Sequence, residues 1–184
     1  MELSRCRTAA AGVNARRRRA FDGAYPMPGP DDIVIREVAH GSPEYLAAVE
    51  LRRDVLRRPL GLDYSEAQLA AEASQVHLVA YAGSGESAFA TAPLGCMSLG
   101  RQSDGAGQMR QAAVRHDQQG RGVGRLLAEA LETAARRRGD PWIVLHARCP
   151  VIGFYERLGY TAEGPEFDEV GIPHRMMRKA LGQD

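Results

Sequence analysis

Lysine is almost missing from this chain: Lys179 is the single one, against 23 arginines. We read that skew as a bias of composition rather than a functional signal. Cysteine is scarce as well. Cys6, Cys96 and Cys149 are odd in number and widely spaced, which gives neither a disulfide framework nor a metal-ligand pattern. A reducing cytoplasm is the simplest setting for such a set. Long apolar runs are absent too. Nothing approaches the roughly 18 residues of a membrane-spanning helix, so no membrane is expected. Ala9–Val13 is too short for the core of a secretory signal, and it precedes the Arg16–Arg19 cluster rather than following it. A strong charge of one sign is lacking, since the net charge is +1.

What is present fits one globular domain. The chain has 184 residues, 44% of them hydrophobic, enough to bury a core. Residues 1–32 read as a disordered extension: it is rich in Arg, and Pro26, Pro28 and Pro30 block both helix and strand. Ile33–Val38 is β-branched and short, a strand. Ser42-Pro43 offers an N-cap and a first-turn proline, and Ala48, Leu51 and Val55 continue a helix that ends before Pro59. Ser65–Ala73 is a second helix capped by Ser65. Val76–Ala82 and Leu94–Arg101 are strands, the first followed by a turn at Gly83-Ser84-Gly85. Gln108–Arg115 pairs antiparallel with its predecessor across a polar turn. Val123, Leu126, Leu127, Ala130, Leu131, Ala134 and Ala135 then fall on one helical face, with Arg136–Arg138 in the last turn and Gly139 after it. Trp142–Ala147 is a strand, Pro150–Leu158 a short helix, and His174–Leu181 the last strand. The order predicts an α+β fold: a mixed, mostly antiparallel sheet of six or seven strands covered by about four helices.

The segment that carries chemistry is Gln119-Gly120-Arg121-Gly122-Val123-Gly124-Arg125, between a strand and the long helix. Glycines let backbone approach a ligand closely, and free N–H groups at a helix start attract phosphate. A Walker loop is excluded because no Lys is present, and the dinucleotide fingerprint because the spacing is Gly-x-Gly-x-Gly. By itself such a turn is equally well a turn with no ligand.

Gln119–Gly124 resembles the acyl-CoA pyrophosphate loop of the GCN5-related N-acetyltransferase (GNAT) superfamily, Gln/Arg-x-x-Gly-x-Gly/Ala. Met109–Val114 precedes it as the cofactor-contacting strand does in that family. Gly153–Tyr160 resembles its second hallmark, Phe/Leu-Tyr-x-x-x-Gly-Phe/Tyr. Strong resemblance covers about residues 108–160, within a domain expected over residues 33–184. It implies that backbone groups of Ala112, Ala113 and Val114 pair with the pantetheine arm of acetyl-CoA. It implies further that Gly120, Arg121, Gly122, Val123, Gly124 and Arg125 hold the pyrophosphate, and that Tyr155 is the general acid. Two departures matter. Arg148 stands where many members have Asn, and Ile143 where some have a basic-acting Glu, so no base is carried over. The stretch Phe167–His174 resembles that of an uncharacterised bacterial subgroup and supplies Glu169 and His174 as polar candidates, with His146 a third.

The resemblance implies direct acetyl transfer from acetyl-CoA to an amine acceptor in a ternary complex, with no metal; a homodimer is compatible with it. A Lys-like amine costs about 4.6 kcal/mol to be neutral at pH 7, so a base or a water chain is needed unless the acceptor is less basic. The rival reading is an acyl-CoA-binding sensor or scaffold without turnover, which loss of Tyr155 would have favoured. Nucleic-acid binding through the Arg tail is disfavoured, because residues 31–184 carry 18 basic and 21 acidic side chains.

Overall fold

A computed structural model describes residues 32–83 and 92–182. Apart from Asp32, the expected extension lies outside the described residues, as do Ser84 and Gly85 of the first turn. Seven strands and four α-helices are formed among the described residues: β1 Ile33–Val38, α1 Pro43–Arg52, α2 Glu66–Ala70, β2 Val76–Ala82, β3 Gly95–Arg101, β4 Gly107–Val114, α3 Val123–Arg138, β5 Trp142–Arg148, α4 Ile152–Arg157, β6 Thr161–Glu169 and β7 Ile172–Ala180. Hydrogen bonding orders the strands β1-β2-β3-β4-β5-β7-β6. The β1–β2, β2–β3, β3–β4 and β6–β7 pairs are antiparallel and β4–β5 is parallel. The mixed, mostly antiparallel sheet expected from the element order is therefore what forms.

The described residues divide into two compact units, 32–83 and 92–145 with 180–182, and 146–179. In the larger unit the helix starts follow from the sequence. The Tyr45 N–H donates to Ser42 Oγ at 3.2 Å, and Pro43 fills a first-turn position that has no intrahelical bond to lose. Ser65 and Gln68 form a reciprocal capping box at α2. The helix ends are less regular than expected. Beyond Arg52, α1 widens into a π turn over Arg53–Arg57, then tightens into a 3-10 turn at Arg58–Leu60 stopped by Gly61 at φ 67°. Helix α2 stops at Ala70 rather than Ala73, because Glu72 and Ala73 bond three residues back and Glu72 turns inward to Arg52 and Tyr45.

Packing places α1 and α3 on opposite faces of the sheet. Cys96 of β3 clusters with Ala48 and Leu51 of α1, whereas a Cβ built on its neighbour Gly95 would meet Val123 and Leu127 of α3; successive strand residues point to opposite sides. The buried stripe of α3 is rotated from the expected one. Ala128 and Glu132 are buried, while Leu126 and Ala130 are half-buried. Glu132 pairs there with Arg136 at 3.6 Å.

In the smaller unit, β6 and β7 pair from Thr161↔Arg178 to Glu169↔Ile172. The single lysine, Lys179, donates to the Leu158 carbonyl at 2.8 Å and lies 5.5 Å from the Tyr160 ring centre. Cys149 is buried.

Candidate functional site

Two glycines shape the turn before α3. Gly120 and Gly122 sit at φ 78° and 85°, where a side chain is strained, and a Cβ built on either would meet nothing within 4 Å. Gly122 is the N-cap of α3 and provides no side-chain cap, and the first turn carries no acidic residue. The 16-residue helix therefore starts without a side-chain cap, and no carboxylate in its first turn offsets the positive end of its dipole. Arg121 donates to the buried Gln118 at 3.0 Å, and Arg125 pairs with Glu129 at 2.9 Å. This arrangement fits a pyrophosphate: a helix start with no side-chain cap and no acid in its first turn, room beside its glycines, and nearby cations.

Upstream, β4 is bulged. Ala113 pairs with Cys96 but Arg110 with Ser98, so Gln111 and Ala112 share one partner position on β3, and Gln111 takes φ 55°. With β5 the ladder covers Gly107↔Ile143 and Gln108↔Val144. Of the backbone groups assigned to pantetheine, the Val114 carbonyl accepts from Gln119 Nε2 at 3.1 Å. The Gln111 side chain is clamped at both ends: Tyr64 Oη donates to Oε1 at 2.7 Å, and Nε2 donates to Glu72 Oε1 at 3.2 Å.

Glu72 is the centre of a buried polar cluster that no motif announces. Its Oε2 accepts from both Nη atoms of Arg52 and from Tyr45 Oη, each at 2.9 Å, and its backbone carbonyl bonds the His77 ring at 3.0 Å. Burial lowers the His77 pKa, and burial plus the bond to Glu72 pushes Tyr45 up to about 12. An acid set in an alanine-rich run was the only hint.

In the smaller unit Tyr155 is 6% exposed, edge-on to Phe154 and Tyr160, and burial pushes its hydroxyl up to about 12. Its proton is thus held throughout the physiological range. His146 and Glu169 come together, Nδ1 to Oε2 at 2.8 Å. His174 does not join them by a bond; its Nδ1 meets the Ile172 carbonyl at 2.8 Å, and its ring stacks on Phe167, whose ring also meets His146 edge-on. The bond between His146 and Glu169 joins two of the three polar candidates, which lie 23 residues apart in sequence.

Comparison with known proteins bears on the family and the fold. A family model described as an acetyltransferase (GNAT) domain matches residues 63–181. The uncharacterized N-acetyltransferase YjcF of Bacillus subtilis is 35% identical over 80 residues, 43% of this chain and 57% of that protein. The uncharacterized protein YyaT of the same organism is 35% identical over 63 residues, 34% of this chain and 43% of the relative. The chain thus spans about half the length of the curated relatives it matches. Among solved structures, an acyl-CoA N-acyltransferase from Pseudomonas aeruginosa superposes with a TM-score of 0.64 at 24% identity, covering 81% of this chain and 99% of that one. An aminoglycoside 6'-N-acetyltransferase complexed with coenzyme A gives 0.60 at 14% identity, over 80% and 97%. These likenesses are of fold. Among the described residues no helix is long and apolar enough to cross a membrane, and no group of three or more metal-ligating side chains is found.

Proposed function

Because the chain belongs to the GNAT acetyltransferase family, we propose that it transfers an acetyl group from acetyl-CoA to the amine of an acceptor by direct attack in a ternary complex. The observation that carries this reading is the uncapped, acid-free start of α3 behind two glycines at positive φ. A sulfate- or phosphate-sized oxygen cluster is what such a helix end binds.

Bound acetyl-CoA would supply an activated acetyl thioester and a sulfur able to depart. The chain's own residues do the rest. N–H groups of Gly120, Arg121, Gly122, Val123, Gly124 and Arg125 hold the pyrophosphate, and Arg121 and Arg125 add charge. Backbone groups of Ala112, Ala113 and Val114, just past the Gln111 bulge, take the pantetheine arm and polarise the thioester carbonyl. Tyr155 Oη keeps its proton to high pH and gives it to the departing sulfur. Since a thiol near pKa 8.5 leaves tolerably unaided, this assistance is worth the lower end of about 10²–10⁴-fold. Glu169 and His174 belong to the acceptor side. Glu169 acts there through His146: a carboxylate on Nδ1 leaves Nε2 to take the amine proton.

The test is to incubate the purified protein with acetyl-CoA and a panel of amines, following free CoA thiol, beside calorimetric titration of acetyl-CoA. Binding with turnover of at least one amine is expected. Failure of acetyl-CoA to bind overturns the reading, and binding without turnover of any amine replaces it with an acyl-CoA sensor.

A further inference from the structure

Four arginines follow one another in the segment from α1 to Gly61, and three of them are neutralised. Arg52 is buried on Glu72. Arg53 pairs with Glu50 and Asp63, and Arg58 with Glu50 and Asp54. Arg57 takes part in no ion pair among the described residues. Its guanidinium lies over the Tyr64 ring, 4.5 Å from the centre, and its Nε is buried without a hydrogen-bond partner. Arg57 is the last residue of the π turn over Arg53–Arg57.

A guanidinium cannot shed its charge, so Arg57 is a half-buried cation with no carboxylate partner among the described residues and with its Nε unbonded. The ring beneath it compensates in part. Its position is the informative point. Tyr64, on which it rests, donates to Gln111, and Gln111 immediately precedes Ala112, where the strand assigned to the thioester arm begins. Cation, aromatic ring and bulge form one connected line within the larger unit.

We propose that Arg57 is the receptor for a carboxylate on the acceptor, and hence that the substrates are amines carrying a carboxylate. The inference rests on the acetyl-transfer reading above. An arriving carboxylate draws the guanidinium off the Tyr64 ring and is held by Nε and Nη2 as a bidentate pair, the geometry that suits Arg and not Lys. A lone guanidinium matches a singly charged group. The three acids nearby are already engaged by Arg53 and Arg58, so they neither quench Arg57 nor need to move.

The experiment compares ω-amino acids of three to six carbons with their carboxamides, which leaves the distant amine little changed while removing the charge. Wild type should prefer the acids by about tenfold or more in kcat/KM. Arg57→Gln should bring that ratio close to one by raising acceptor KM, with acetyl-CoA KM unchanged. Arg58→Gln, which removes an exposed and already paired neighbour, should keep it. Equal kcat/KM for acid and amide in wild type, or a ratio that survives Arg57→Gln, overturns the assignment. Calorimetry with 6-acetamidohexanoate in the presence of CoA reads the site without turnover. A Kd that weakens about tenfold in Arg57→Gln supports it, and no binding, or equal Kd values, refutes it whatever the CoA-release assay says of acetyl transfer.

Discussion

Two regions of the larger unit treat polar groups in opposite ways. Between α1, α2 and β4 the polar side chains are largely paired with one another, the Nε atoms of Arg52 and Arg57 excepted. Ser42 and Ser65 cap their helices, and Glu72 gathers Arg52, Tyr45 and Gln111. At the start of α3 the donors are left open, with glycine where a cap would stand. A buried polar group without a partner is costly, whereas one at the surface merely waits for a ligand. The closed region therefore holds the fold, and the open one is free to bind. That contrast gives graded expectations.

The largest effect should come from opening the closed region. Glu72→Ala leaves the buried Arg52 guanidinium uncompensated, a loss of about 3–5 kcal/mol. Denaturant unfolding measures it, and a loss below about 1 kcal/mol would mean that Arg52 finds water instead. Tyr155 is a closed group asked to act. Tyr155→Phe should lower the single-turnover rate about 100-fold, roughly 2.7 kcal/mol, while acetyl-CoA affinity is kept. A rate within twofold of wild type would reduce it to packing. The same burial has a stability signature. Because the folded-state pKa is raised to about 12 from the ordinary value near 10, the neutral phenol is favoured by folding. That share of stability is complete below pH 10 and is lost between pH 10 and about 12, and the phenylalanine variant should lack it.

Gly122→Val sharpens the comparison from the other side. Methyl groups placed in the open cradle at φ 85° should weaken acetyl-CoA about tenfold or more by calorimetry. Gly139 provides the control: it sits at φ 77° with equal room, so Gly139→Val carries similar backbone strain, about 1–2 kcal/mol, without touching affinity. Equal effects of the two on binding would show that strain alone is being measured. The smallest effect is Ser65→Ala, about 1 kcal/mol of stability for half a capping box, with acetyl-CoA affinity unchanged.

Local rules were legible in the sequence and long-range ones were not. Ser42-Pro43, Ser65 with Gln68, and Gly139 each act within four residues, so the helix limits they impose could be read directly. The period of α3 was readable, but its rotation was not, because a wide apolar stripe fits the sheet at more than one angle and Glu132 is buried only once Arg136 folds over it. At the candidate site, the glycine turn was visible as a motif. The Gln111 bulge was not, since its positive φ is held by Tyr64 and Glu72, which lie 47 and 39 residues away. A separation of 23 residues likewise hid His146 from Glu169, and in the sequence Arg57 looked like one arginine among four.

Lys179 has a consequence for how the protein is handled. Acetyltransferase preparations are often confounded by the enzyme modifying itself, and by acetyl-CoA reacting slowly with surface amines. Here the whole chain offers one ε-amine, and that amine is engaged with the Leu158 carbonyl and the Tyr160 ring. An acetyl-lysine signal in a reaction with a protein acceptor can therefore be attributed to the acceptor once a single peptide has been checked. The same scarcity makes amine-reactive dyes and crosslinkers report on Lys179 alone among side chains, a built-in probe of whether α4 and β7 stay docked.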